Sequence, residues 1–262
     1  MANRVPFDDR LNQRARIEDL SRELMCDVLN EVGSDLAGKA AKLPLVELGR
    51  QMNVVGGSVD TPFPRNVGLL FFNPEPHRFF PATQIDVVWL PKGTSGEKIT
   101  ERVFRGPVPK MLRESLDYIR RNYISETVIK HHDRAEATRV ENFPYPAIEE
   151  ALVNAIYHRG YDVREPVEVR ISRNELVVLS YHGPDRSIRL AQLRAGKAIP
   201  HRCRNRHIGE FLKELKFIEG RPTGIRKIMR AMKDNGSPQA EFEVDDDHTY
   251  FMVRLAVQPD AS

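Results

Sequence analysis

Residues 146–160, PAIEEALVNAIYHRG, decide how the rest of the chain is read. Ile148, Ala151, Leu152, Ala155 and Ile156 recur at helical spacing and form a stripe to be buried, while Glu150, Asn154 and His158 follow four residues apart. A polar line therefore runs along a helix beside its core-facing stripe. Pro146 suits a first helical turn and Gly160 a stop. Asn is a poor choice mid-helix beside Leu152 and Ala155, which is easier to explain if the side chain binds something. A carboxylate, an amide and an imidazole on one rigid element can grip a metal–phosphate and position water. The alternative is a solvated helix edge, with His158 and Arg159 merely suiting a helix C-terminus.

Outward from this helix, residues 167–172 and 175–181 alternate in pattern around the turn residues Arg173 and Asn174 and read as a hairpin. Helices are expected at 109–123, 208–215 and from Gly224 through Met232, and a closing antiparallel pair at 241–244 and 250–257. Upstream, residues 11–32 read as one amphipathic helix, 44–52 as a short one, 85–90 as a buried strand and 92–101 as a linker. Short strands are expected at 127–131 and 138–142. The order predicts an α+β layer sheet with helices on one face.

Composition narrows the class. The chain of 262 residues has 40% apolar and 29% charged side chains, which describes a globular protein able to bury a core. No apolar run approaches a membrane span, and the N-terminus MANRVPFDDR lacks the apolar core of a secretory signal, so a cytoplasmic protein is expected. Cys26 and Cys203 read as plain thiols rather than a zinc site or disulfide framework. Net charge of +3 is too small to argue for nucleic acid. Its distribution says more, because residues 186–206 hold seven Lys or Arg and no acid, a run that is either a solvated face or a surface for phosphates. Adjacent His131 and His132 on a strand would point to opposite faces and do not make a metal site. Lys227 does not follow the glycine pattern of a P-loop. Trp89 and the Phe71, Phe72, Phe79, Phe80 group read as core, with base stacking the alternative.

The segment FPYPAIEEALVNAIYHRGY, with the strand pair after it, Arg204-Asn205 and FIEGRPTGIRKI, resembles the ATP-binding C-terminal region of RecG-related, Schlafen- and AlbA-associated transcriptional regulators, a divergent branch of the GHKL ATPase superfamily. The resemblance implies a two-layer α/β sandwich of GHKL, Bergerat-like type over residues 104–262, with a helix-rich connecting region over 1–103. It implies ATP and Mg²⁺ as cofactors, Glu150 as general base and Asn154 as ligand of the phosphate-bound metal. His158 and Arg159 match the relatives' His-Arg pair, Gly183 the base-binding turn, Arg204 and Asn205 a further matching pair expected to bind the cofactor, and Thr223 with Gly224 the glycine turn that meets phosphates. Two departures stand out. The relatives' Asp-x-Gly or Asn-Pro-Gly is Tyr181-His182-Gly183 here, and Pro222 stands where many have Gly.

The expected function is a cytoplasmic ATP- and Mg²⁺-binding regulatory module, acting in transcription or a DNA transaction, with slow or no hydrolysis. DNA or RNA and a second copy of the chain are expected partners, no membrane is, and an AlbA-like domain would precede Val5 in the relatives. The alternative is a degenerate GHKL scaffold that binds nucleic acid or a protein through the basic run without nucleotide.

Overall fold

The structure, a computed structural model, describes residues 5–94, 99–130, 136–185, 188, 190–195, 204–219 and 224–261. The expected strand at 85–90 is β3, and it anchors the central sheet. In chain order the elements are α1 (Arg22–Glu31), α2 (Ala37–Ala40), α3 (Leu45–Gln51), β1 (Val55–Gly57), β2 (Pro62–Pro64), α4 (Asn66–Phe72), β3 (Gln84–Thr94), β4 (Thr100–Arg105) and α5 (Val108–Tyr123). They continue with β5 (Glu126–Ile129), β6 (Thr138–Glu141), α6 (Tyr145–His158), β7 (Val167–Ser172), β8 (Glu175–Tyr181), α7 (Leu190–Arg194), α8 (Arg206–Glu214), α9 (Gly224–Asp234), β9 (Glu241–Val244) and β10 (Tyr250–Ala256).

Six strands form one sheet in the order β4-β3-β7-β8-β10-β9, in which β3 and β7 run parallel and every other pair antiparallel. Register explains why one face is covered. Val87, Val169, Val178, Val253 and Phe242 stand side by side across five strands, and all are buried with the apolar stripes of α5 and α6. The opposite face carries the row Arg170, Val177, Arg254 and Glu241, where Arg170 pairs with Glu168 at 2.6 Å and Arg254 with Glu175 and Glu241. A period-two pattern with one apolar and one ion-paired face makes a two-layer sandwich. That is the α/β sandwich expected from the sequence.

The N-terminal part packs into the same core. All of α4 is buried, and Phe71 and Phe72 meet Phe211 of α8 with ring centres 5.0 and 5.4 Å apart. The expected single helix over 11–32 is broken. A 3₁₀ turn at Ile17–Asp19 is followed by extended Leu20, and α1 starts afresh after Ser21, whose side chain accepts the Leu24 N–H. The break is enforced from afar, because Asn73 donates to the Asp19 carbonyl at 2.6 Å and the Ser21 N–H to that of Phe72 at 2.7 Å. The expected linker at 92–101 is also revised, since Thr100 and Glu101 belong to β4, paired with Trp89 and Val88 of β3. The expected boundary at 103/104 thus falls inside a strand of the sheet. Among the described residues, no helix is long and apolar enough to cross a membrane.

Candidate functional site

The site is built where α6 meets α9 and the end of β8. A cavity of about 520 Å³ opens there, lined by Asn154 and His158 from α6, Ser180, His182 and Gly183 around the end of β8, and Arg204. The first residues of α9, Gly224 to Arg226, close one side, and Pro6, Phe7 and Arg10 of the N-terminal segment close another. The volume is within the range of small-molecule sites, about 300–1,000 Å³. Phe7, Ile188, Phe251 and Val253 give it an apolar wall, while Arg10, Arg204 and Arg226 bring cations and Asp162 and Asp185 acids.

Helix α6 forms because its alanines and Ile148, Leu152 and Ile156 satisfy a helical stripe, and Pro144 and Pro146 fit its first turn. That stripe docks on the sheet and fixes where the polar line points. Asn154 folds back on its own helix, its Nδ2 donating to the Glu150 carbonyl at 2.7 Å and to Glu150 Oε1 at 2.9 Å. This leaves the carboxamide oxygen as the atom a metal would take. Glu150 is not part of the cavity wall; its side chain is 13% exposed and its Oε2 lies 3.6 Å from Lys227 Nζ. Gly224 explains how α9 comes so close. A Cβ there would lie 2.5 Å from Asn154 Nδ2 and 2.7 Å from Glu150 Oε1, so only glycine allows the N-terminus of α9 to press on this pair. A helix N-terminus favours anions.

The other residues expected at the site divide. His158 lines the cavity against the Tyr157 ring, and desolvation followed by the charge of Arg204 pushes its pKa down to about 4, so it is neutral near pH 7. Arg204 donates Nη1 to the His158 carbonyl at 2.7 Å and Nη2 to that of Gly183 at 3.2 Å, closing the α6 C-terminus onto the β8 turn. Gly183 is needed for space, since a Cβ would lie 2.7 Å from the Tyr250 carbonyl oxygen; its N–H donates to the His248 carbonyl at 2.9 Å.

Arg159 and Asn205 lie outside the cavity. Arg159 is 1% exposed and spends its guanidinium on the carbonyls of Ala82 and Glu165, both at 2.8 Å, and of Gly160 at 3.2 Å. Asn205 donates to the carbonyls of Tyr157 and Arg159, at 2.9 and 2.8 Å, and so finishes the end of α6. Thr223 lies outside the described residues, as do Pro222, the His131–Asp133 cluster, His201, Cys203 and most of the basic run. The side chains of two of that run's arginines are described. Arg204 is committed to carbonyls, and Arg206 pairs with Glu210 at 3.1 Å.

Sequence reasoning missed Phe7, Arg10 and Lys227. Phe7 packs edge-on against Phe80 at 5.5 Å and stacks with Tyr161 at 6.2 Å, and the neighbouring Asp8 carboxylate accepts the Ile208 N–H at 3.0 Å. The N-terminal segment is thereby fixed to the first turn of α8.

The donor set fits Mg²⁺ with a nucleotide. That cation keeps waters and takes one or two protein oxygens while phosphates supply the rest. Among the described residues no group of three or more His, Cys, Asp or Glu gathers to hold a metal by itself.

Residues 165–255, from β7 into β10, match the family model described as "Putative ATP-dependent DNA helicase recG C-terminal". The crystal structure of the DIP2311 protein from Corynebacterium diphtheriae shares the fold, with a TM-score of 0.68 at 18% identity. The alignment covers 97% of this chain and 48% of that one, so the chain spans about half the length of that relative. No curated protein matches the sequence. Over residues 165–255 this chain is similar to the RecG C-terminal region, a match that begins after α6, and its fold is the two-layer sandwich of GHKL type.

Proposed function

We propose that the chain is a nucleotide-binding regulatory module that takes ATP with Mg²⁺ into the cavity between α6, α9 and the end of β8. One observation carries this reading: a cavity of about 520 Å³ bounded at once by Asn154, the N-terminus of α9 and three arginines, with an apolar wall beside them. Asn154 offers its carboxamide oxygen to the metal. The α9 N-terminus with Arg226 receives the phosphates, Arg204 holds the wall beside them, and Phe251 and Val253 face the base. When bound, Mg²⁺ would neutralise charge on the phosphate oxygens. Glu150 is the base that would take a proton from water, and turnover is slow or absent. The likeness to the RecG C-terminal region supports a switch in transcription or a DNA transaction, with DNA or RNA and a second copy of the chain as partners in the cytoplasm.

The test is thermal unfolding with ATP, with and without Mg²⁺. At about 100 times the dissociation constant a bound ligand stabilises by about 2.7 kcal/mol, which raises Tm by roughly 5–10 °C in a chain of this size. Asn154→Ala is expected to lose the Mg²⁺-dependent part. An unchanged Tm for the wild type, or the same Mg²⁺ response in Asn154→Ala, overturns the reading.

A further inference from the structure

Glu150 is the candidate proton acceptor, yet both of its carboxylate oxygens are already engaged. Asn154 Nδ2 donates to Oε1 at 2.9 Å, and Lys227 Nζ stands 3.6 Å from Oε2. The same ammonium reaches Glu219 Oε1 at 3.0 Å, so Lys227 is held between two acids. Gly224 presses its backbone on the pair from above. Burial alone would lower the Lys227 pKa, but Glu219 and Glu150 outweigh it and raise it.

We propose that Lys227 is a positioning residue that restrains Glu150, and that it lets go when phosphates at the N-terminus of α9 compete for its ammonium. This rests on the nucleotide reading above. The physics is that of occupied acceptors: while Asn154 holds Oε1 and Lys227 stands on Oε2, neither carboxylate oxygen is free to meet a water. Lysine suits such a role because its charge sits on a flexible four-carbon stem and can change partners. Lys227 lies in the first turn of α9, one turn from the helix end that receives anions. Glu219 is much more exposed than Glu150, 71% against 13%, and so can follow the ammonium as it moves. In hydrolysis the water oxygen bonds to the γ-phosphorus, the bond from that phosphorus to the bridging oxygen breaks, ADP leaves with the electron pair, and the water's proton goes to Glu150. The last transfer is the one that Lys227 opposes while it remains paired.

Two readouts test this in the full chain. In the nucleotide-free protein Lys227→Met is expected to lower Tm by about 2–4 °C, because Glu150 loses its partner, and to lower it much less in a Glu150→Gln background; Lys227→Arg keeps the wild-type value. With ATP and Mg²⁺, phosphate release by Lys227→Met is expected to rise on the order of tenfold at matched occupancy and to vanish in Glu150→Gln/Lys227→Met. Strictly additive Tm changes overturn the restraint, and so does unchanged or slower turnover in Lys227→Met with its ATP-induced Tm rise intact. If the wild type shows no ATP-induced rise at all, the nucleotide reading falls and the restraint falls with it.

Discussion

The two halves of α6's polar edge look alike in sequence and are used in opposite ways. Around Glu150 and Asn154, one bond runs from Asn154 to the Glu150 carbonyl, but the carboxylate itself is paired with side chains, Asn154 and Lys227, which can exchange partners. Around Arg159, three carbonyls of the fixed backbone take up the guanidinium, and Arg204 and Asn205 cover the last carbonyls of the helix. A group bound to mobile side chains can be recruited by a ligand; a group bound to backbone holds the fold. The comparison predicts which substitutions will damage stability and which will damage binding.

The largest expected effect is Arg159→Leu. It strips the carbonyls of Ala82, Glu165 and Gly160 of a donor in a buried setting, and should cost about 3–5 kcal/mol in urea unfolding, with any surviving folded protein still responding to ATP. A stable variant that loses only its ATP response would reverse the assignment of the two halves. Next comes Asn205→Ala, which removes the donors on the Tyr157 and Arg159 carbonyls. About 1–3 kcal/mol is expected, again by urea unfolding. A loss below a few tenths would mean that the end of α6 is held by Arg204 alone.

His158 sits at the border between the halves and is checked by pH. Its folded pKa is pushed down to about 4, from an ordinary value near 6.5, by desolvation and then by Arg204. The unfolded chain therefore takes up a proton that the folded one refuses. The stability associated with neutral His158 is complete above pH 6.5 and is lost on acidification towards pH 4, at about 1.4 kcal/mol per unit. Asp8, whose pKa burial raises, works in the opposite direction, so the difference between wild type and His158→Gln isolates the histidine. Superimposable pH profiles for the two proteins would show that the imidazole is hydrated and protonates freely.

The hairpin β7–β8 was legible because period-two alternation and turn residues are local, and its bounds match those read from the sequence. Helix α6 was legible for the same reason, one residue longer at its start. The false single helix over 11–32 failed because Asn73 and Phe72 pull on Asp19 and Ser21 from more than fifty residues away. The site was half legible. Spacing placed Asn154 and His158 on one line, but the same logic included Arg159, and nothing local distinguishes an arginine that faces a ligand from one that satisfies three carbonyls. Lys227 and Phe7 were invisible because their meaning lies in partners 77 and 73 residues away.

The smallest expected effect on stability tests how far the adaptable half extends. Arg10 is exposed, lines the cavity from the N-terminal segment, donates Nε to the Val5 carbonyl at 3.1 Å and lies over the Phe7 ring at 5.8 Å. Arg10→Ala should leave unfolding within about 0.5 kcal/mol of wild type, as for most surface substitutions. An exposed cation facing phosphates contributes about 0.5–1 kcal/mol, a few-fold in affinity, which weakens as salt rises. The measurement is an ATP titration at low and moderate salt. If affinity is unchanged at both, the ligand does not reach the N-terminal wall, and the adaptable region contracts to α6, α9 and the turn after β8. If it falls at low salt only, Arg10 attracts the anion without touching it, and the segment that Asp8 pins to α8 serves to hold that charge at the mouth of the cavity.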